Sequence, residues 1–173
     1  NLSAELRNQD AVLFFLQRGA IAGEQNSTVV YALSCNDDDS IPEAVHFYAR
    51  GALHFGDHKS GFCLALHLIS GEGIAKNPPV AEYILCRLCK ESFTDAFLKF
   101  ALLYLRGAEG VKRMPKRAKK ILEISAFAHG NEQAAKILSE TDWQAIEGEI
   151  KKEVEDRMHQ EKKEKEKEEK ESA

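Results

Sequence analysis

Ala101-Leu-Leu-Tyr-Leu-Arg-Gly-Ala-Glu-Gly-Val-Lys-Arg-Met-Pro-Lys-Arg-Ala118 reads as the end of one helix, a tight loop and the start of another. Tyr104 and Leu105 close an apolar helical face. Gly107 and Gly110 open backbone angles that let the chain turn sharply. Val111 is an apolar plug between polar flanks, and Pro115 suits a first helical position, where its missing N–H costs nothing. Ala118 is small enough for two helices to approach closely.

The stretch recurs upstream as Ala65-Leu-His-Leu-Ile-Ser-Gly-Glu-Gly-Ile-Ala-Lys-Asn-Pro-Pro-Val-Ala81, with Gly71 and Gly73 in the loop. Gly73 and Gly110 are 37 residues apart, as are Pro78 and Pro115, and Ala81 and Ala118. A period in this range marks a helical repeat array. One helix type begins near Ala11, Ala44, Ala81 and Ala118, with small residues eight and twelve positions on: Gly19 and Gly23, Ala52 and Gly56, Ala126 and Gly130. In the third copy Cys89 and Phe93 stand there instead, which predicts a wider helix spacing. The alternate helices carry Ala32, Ala65 and Ala101, with a short last copy over Asn131 to Ser139. The first loop, Asn36 to Ser40, lacks the glycines, and Ser40 with Asp37, Asp38 and Asp39 suits a helix N-cap. Ser3 begins a short helical piece. The next helix runs from about Asp10 to Ala22 and is apolar enough to expect cover on both sides.

A small residue, then Tyr-x-x-Gly-x-Gly-Val, Pro or Asp, and Ala-x-x-x-x-x-x-Ala-x-x-x-Gly resembles the Sel1-like repeat, a relative of the tetratricopeptide family. The resemblance covers roughly residues 10–140. It implies an all-α solenoid of antiparallel helix pairs wound into a right-handed superhelix with a concave inner surface. The repeat array is expected over 1–140, and a capping helix running into a charged arm over 141–173.

That C-terminal segment opens on Thr141-Asp142, a helix-start signal. Trp143, Ile146, Ile150, Val154 and Met158 form one stripe, expected to dock on the open end of the last repeat with Trp143 near Ile137 and Leu138. Glu147, Glu149, Lys151, Lys152 and Glu153 form the opposite, polar face. From Glu161 onward Glu and Lys alternate in blocks, the pattern of a solvated helix or of a docking arm for a charged surface.

The chain has 173 residues and a net charge of −4, which gives no general nucleic-acid signal. It has no apolar run long enough for a membrane span, so no membrane insertion is expected. It starts at Asn1 rather than Met, which reads as a fragment or a processed form. Cys35, Cys63, Cys86 and Cys89 are too few for a disulfide scaffold and read as core residues of a reducing compartment. An intracellular, cytoplasmic location is expected, with a mitochondrial one as the alternative. Asn1-Leu-Ser and Asn26-Ser-Thr match the glycosylation pattern, which matters only in a secretory compartment.

Chemistry is sparsely signalled. Cys86-Arg-Leu-Cys89 has redox or metal spacing but lies mid-helix, with no second ligand pair following it at finger spacing. His54 and His58 straddle a helix end without the glutamate of a metalloprotease, and His46, His67 and His129 are scattered. Gly71-Glu-Gly73 follows a helix rather than a strand, so it reads as a repeat turn and not a phosphate loop. No catalytic residue, metal ligand, cofactor or small-molecule substrate is assigned.

One charge cluster stands out. Six of the nine residues from Lys112 to Lys120 are basic: Lys112, Arg113, Lys116, Arg117, Lys119 and Lys120. They form either a solvated repeat edge or a contact for an acidic protein or for RNA phosphates, and no aromatic residue interleaves to stack on bases. The expected function is a non-catalytic adaptor or scaffold that binds other proteins, within a larger complex. The alternative is a structural subunit of a large assembly, such as a mitochondrial ribonucleoprotein or a cytoskeletal particle, with the basic run on RNA or on an acidic subunit.

Overall fold

The computed structural model describes residues 2–37 and 40–171, with side chains over 11–35 and 40–164. The helices are α1 (Leu2–Ala22), α2 (Gln25–Asp37), α3 (Ile41–His54), α4 (His58–Ser70), α5 (Pro78–Lys90), α6 (Thr94–Arg106), α7 (Pro115–Glu123), α8 (Glu132–Glu140) and α9 (Trp143–Glu171). Each of α1 to α8 packs on its neighbours in the chain, giving an all-α solenoid. One apolar seam runs from Ala20 to Ala118, and a smaller cluster of Leu98, Ala101, Leu122 and Ala134 closes the far end.

The small residues of the repeat lie in that seam. Ala32, Ala44, Ala65, Ala81, Ala101 and Ala118 are all fully buried. The two glycine loops share positive φ angles but differ in detail. Gly71 (φ +82°, ψ 17°) ends α4 in left-handed helical geometry, whereas Gly107 (φ +71°, ψ 171°) ends α6 in an extended one, and Gly73 and Gly110 follow with φ of +70° and +76°. A Cβ on Gly73 would stand 2.8 Å from Ile41 Cγ2, and one on Gly110 would stand 2.7 Å from Pro79 Cγ. Each loop therefore rests its glycine on the start of the preceding unit's helix. Val111 is buried beneath the second loop.

Several sequence expectations are corrected. The N-terminal piece and the following helix are one helix, because Ala4-Glu5-Leu6-Arg7 are good helix formers and no Gly or Pro interrupts them. α1 is not covered on both sides: Val12, Phe14, Phe15 and Ile21 are exposed. Ser40 occupies the N-cap of α3 but makes no side-chain capping bond, while Asp38 and Asp39 lie outside the described residues. The close crossing of α3 on α4 is at Gly51 rather than Ala52, since a Cβ there would meet Ser60 Oγ at 2.5 Å. Gly19 plays the same part for α1 against Ser27.

In the third copy the left-handed turn position is held by Ser92 (φ +61°), not by a glycine and not by Phe93. The α5–α6 hairpin is thus one residue shorter, which explains why Ala101 follows its repeat alanine by 20 residues where Ala32 and Ala65 follow by 21. In the last copy α7 passes into a π-helical turn, Ile124–Ala128, before Gly130 (φ +64°) reverses the chain. Of the cysteines Cys35 is buried, while Cys63, Cys86 and Cys89 are half-buried, and none of the four is in a disulfide among the described residues.

Candidate protein-interaction site

The basic run sits where the second glycine loop enters α7. Pro115 starts that helix behind Met114, and no acidic residue stands in its first turn. Positive side chains at the positive end of a helix dipole are locally unfavourable, so this corner attracts anions. The protein supplies some itself. α9 crosses the corner, with Arg113 Nη1 3.1 Å from Glu153 Oε1, Arg113 Nη2 3.5 Å from Glu149 Oε2, and Lys116 Nζ 3.9 Å from Glu147 Oε2. Three carboxylates read from sequence as a solvated face are therefore turned toward the basic run. Arg113 also donates from Nε to the Leu105 carbonyl at 3.3 Å, tying the loop to the end of α6.

The rest of the run is divided. Lys119 Nζ lies 5.7 Å from the centre of the Trp143 ring. Arg117 approaches the Tyr104 hydroxyl, which donates to Glu82 Oε1 at 2.7 Å; burial and that bond push the Tyr104 phenol up. Lys112 and Lys120 are exposed.

α9 is anchored at one end. Trp143 packs on the cluster of Leu98, Ala101, Leu122 and Ala134 beside Ile137 and Leu138, and its Nε1 donates to the Leu138 carbonyl at 3.2 Å. Asp142 Oδ1 accepts from the Gln144 and Ala145 amides, capping the helix. Ile146 and Ile150 are half-buried, but Val154 and Met158 are exposed, so the apolar stripe docks only at its start. The reason is geometric: past Ile150 the helix meets the loop through the Arg113–Glu153 pair, and its apolar side chains line a hollow instead of packing on the array.

That hollow has two lobes, of about 460 and 620 Å3, which share Ile150. Met114, Pro115 and Val111 floor it, and Ile150 and Val154 roof it. Lys116, Arg117 and Lys151 line the first lobe against Glu147, and Arg106, Lys112, Arg113 and Arg157 line the second against Glu153. Arg106 and Arg157 were not singled out from sequence, and Lys151 was read only as part of the polar face of the capping helix. The signal that would have found them is the i, i+4 pairing of Glu149 with Glu153, an acidic stripe matched to the basic loop.

A separate cavity of about 530 Å3 lies between α4 and α6, with Leu66, Ile69 and Leu102 as apolar lining and Lys99, Arg106 and Glu72 among its polar groups. Cys63 and His67 reach it from successive turns of α4. Burial pushes the Cys63 thiol up, and His67 Nδ1 lies 3.2 Å from the Glu72 carbonyl. Burial likewise pushes Cys89 up to about 12, the opposite of a redox or metal thiolate. His58 Nε2 contacts Glu91 Oε2 at 2.9 Å, while His54 is exposed. Among the described residues no group of three His, Cys, Asp or Glu side chains is placed to hold a metal ion, and no helix is long and apolar enough to cross a membrane.

No family model matches the sequence, and no curated protein does. The fold does have solved counterparts. It is similar to c5321, a protective antigen of uropathogenic Escherichia coli strains displaying an SLR fold, with a TM-score of 0.67 and 22% identity over 73% of this chain and 27% of that one. It is also similar to a Sel1 repeat protein from Oxalobacter formigenes, with a TM-score of 0.65 and 23% identity over 73% of this chain and 52% of that one. The chain thus spans about a quarter and about half of these two proteins. Its fold is the Sel1-like repeat solenoid.

Proposed function

We propose that this protein is a non-catalytic adaptor whose repeat surface binds other proteins, and that the hollow between α9 and the second glycine loop receives acidic, leucine-bearing segments of those partners. The observation that carries this is the lining: seven basic side chains against two acidic ones, around an apolar floor and roof. Complementary charge speeds and orients association, and the apolar lining adds burial to it. Past Ile150 the roof is tied to the array by the Arg113–Glu153 pair, whose carboxylate is exposed, and a pair of that kind contributes little, so this part of α9 can yield to a ligand. Cysteines outside any disulfide suit a reducing compartment, cytoplasmic in the first instance.

The test is fluorescence anisotropy with a labelled peptide of alternating Glu and Leu. Binding is expected to weaken steeply as salt rises. It is also expected to be lost in the variant combining Lys112→Glu, Lys116→Glu and Lys151→Glu, all exposed side chains, with helicity unchanged. Full binding by that variant, salt-insensitive binding, or a preference for a single-stranded RNA oligonucleotide overturns the reading. Co-elution of the native material with one large particle points instead to a structural subunit.

A further inference from the structure

The cavity of about 530 Å3 between α4 and α6 adjoins the hollow under α9. Arg106, Gly107 and Ala108 line both the cavity and the hollow's second lobe, so one short ridge of chain separates them. The ridge is low. Gly107 has no side chain and Ala108 only a methyl group, and Arg106 beside them is exposed. It is also fixed in place: the Ala108 amide donates to the Val111 carbonyl at 3.0 Å, and the Val111 amide to the Ala108 carbonyl at 2.9 Å.

α4 and α6 each pack on α5 and leave an open groove between them. Leu66, Ile69 and Leu102 face it half-buried, together with the buried rings of Tyr48 and His67, which stack with centres 5.9 Å apart. The two cations of this groove are unpaired. Arg50, Arg87 and Arg113 each have a carboxylate or carbonyl partner, whereas Lys99 and Arg106 have neither an ion pair nor a hydrogen bond among the described residues. Glu72 is the single acidic side chain of the described lining. A carboxylate entering the groove therefore meets two cations and has no bound partner to displace.

Lys99 and Arg106 stand seven residues apart on α6, two helical turns or about 10.5 Å, with Leu102 between them. A bound helix with carboxylates at i and i+7 has the same span, and a leucine at i+3 or i+4 falls on the apolar middle. A β-strand repeats on one face in steps of about 6.6 Å and matches neither at one step nor at two. The next step rests on the hollow's role as a site for acidic segments: we infer that the site continues over the ridge, so that one partner segment fills both. Its Glu/Leu part lies in the hollow, small residues cross Gly107 and Ala108, and a two-turn helical part lies in the groove with its carboxylates on Arg106 and Lys99. Joining the two parts raises affinity through effective concentration, without any stronger contact. The charged arm of a second copy does not fit, since no apolar residue occurs from Glu161 to Glu171.

The probe is the labelled peptide of alternating Glu and Leu, lengthened at either end in turn by a Gly-Ser-Gly-Ser linker and the stretch Glu-Ala-Ala-Leu-Leu-Ala-Ala-Glu. Short and long peptides are compared on the full chain by fluorescence anisotropy. In one of the two orders the long peptide should bind about tenfold or more tightly than the short one. Lys99→Glu, at an exposed position that lines the groove and not the hollow, should remove that gain while leaving the short peptide's affinity and the thermal midpoint unchanged. Changing the peptide's Glu farthest from the linker to Lys should restore the gain on that variant, which a merely structural role for Lys99 would not do. Equal affinity of the two lengths, an equal gain from a scrambled stretch of the same composition, or a gain that survives Lys99→Glu overturns the continuation and leaves the reading of the hollow intact. Failure of the short peptide to bind overturns the reading of the hollow, and the continuation with it.

Discussion

The two ends of this solenoid meet the same problem in opposite ways. At the back, α8 would expose its apolar edge, and Trp143 lies over it with its indole N–H satisfied by the Leu138 carbonyl. At the front, the aromatic side chains of α1, Phe14 and Phe15, are more than half exposed. A helix pair leaves one face uncovered by construction, so the last repeat of an array needs an element to cover it. The back end is capped by an element whose apolar stripe runs from Trp143 to Met158 and gives way to Glu and Lys from Glu161 onward. The front end shows no such change: α1 has the residues of an interior helix.

The largest effect expected from this contrast is an asymmetry between aromatic deletions. Trp143→Ala should destabilise by about 3 kcal/mol, the low end for a large aromatic leaving a core, since the ring is only half-buried. Phe15→Ala at the open end should change stability by less than about 0.5 kcal/mol, as for an ordinary surface position. Urea denaturation of both variants checks this, and equal losses would mean that the front is covered too. Trp143 emission in the parent should be blue-shifted from that of a solvated indole.

The glycines sharpen the comparison between the interior and the back end. Gly110 and Gly130 both have positive φ, but only Gly110 has a neighbour in the way, Pro79 Cγ at 2.7 Å from a would-be Cβ. Gly130→Ala should therefore cost only the backbone term, about 1 kcal/mol. Gly110→Val adds a clash with the preceding unit and should cost roughly 2–3 kcal/mol. Thermal melts resolve the difference, and an unchanged midpoint for Gly110→Val would remove the loop contact from the account.

Much of the array was legible in the chain because its signals are local and repeated. The spacing of Gly73 and Gly110, and the prolines opening α5 and α7, specify turns and helix starts without reference to distant residues. Register was harder where one residue is gained or lost. The shortened α5–α6 turn places Ser92, not Phe93, in the left-handed position, and the crossing at Gly51 lies one residue from the position that counting suggested. Burial of α1 was misjudged because an apolar stripe records what a face is suited to, not whether its neighbour is present. At the candidate site the basic run was plain, but its division was not. That Arg113 and Lys116 face α9 while Lys119 lies over Trp143 depends on where a helix starting 23 residues after Lys120 comes back across the loop.

The smallest effect in stability is expected where α9 leaves the array, and it separates anchoring from gating. Glu149 and Glu153 are more than half exposed, and pairs of this kind contribute about 0–1 kcal/mol. Replacing both by Gln should barely move the urea midpoint, because Trp143 and the Asp142 cap hold the helix start on their own. The same change removes two anions that compete for Arg113, so the acidic Glu/Leu peptide should bind severalfold more tightly, most visibly at low salt where the competing pairs are strongest. Amide exchange adds a second readout. Protection after Ile150 should fall in the variant while that of residues 143–147 holds, since the two stretches rest on different forces. Tighter peptide binding with unchanged exchange would mean that α9 stays in place and the gain is charge alone. An unchanged affinity would mean that the carboxylates of α9 do not occupy the site, and the roof would then be a passive part of the solenoid's end.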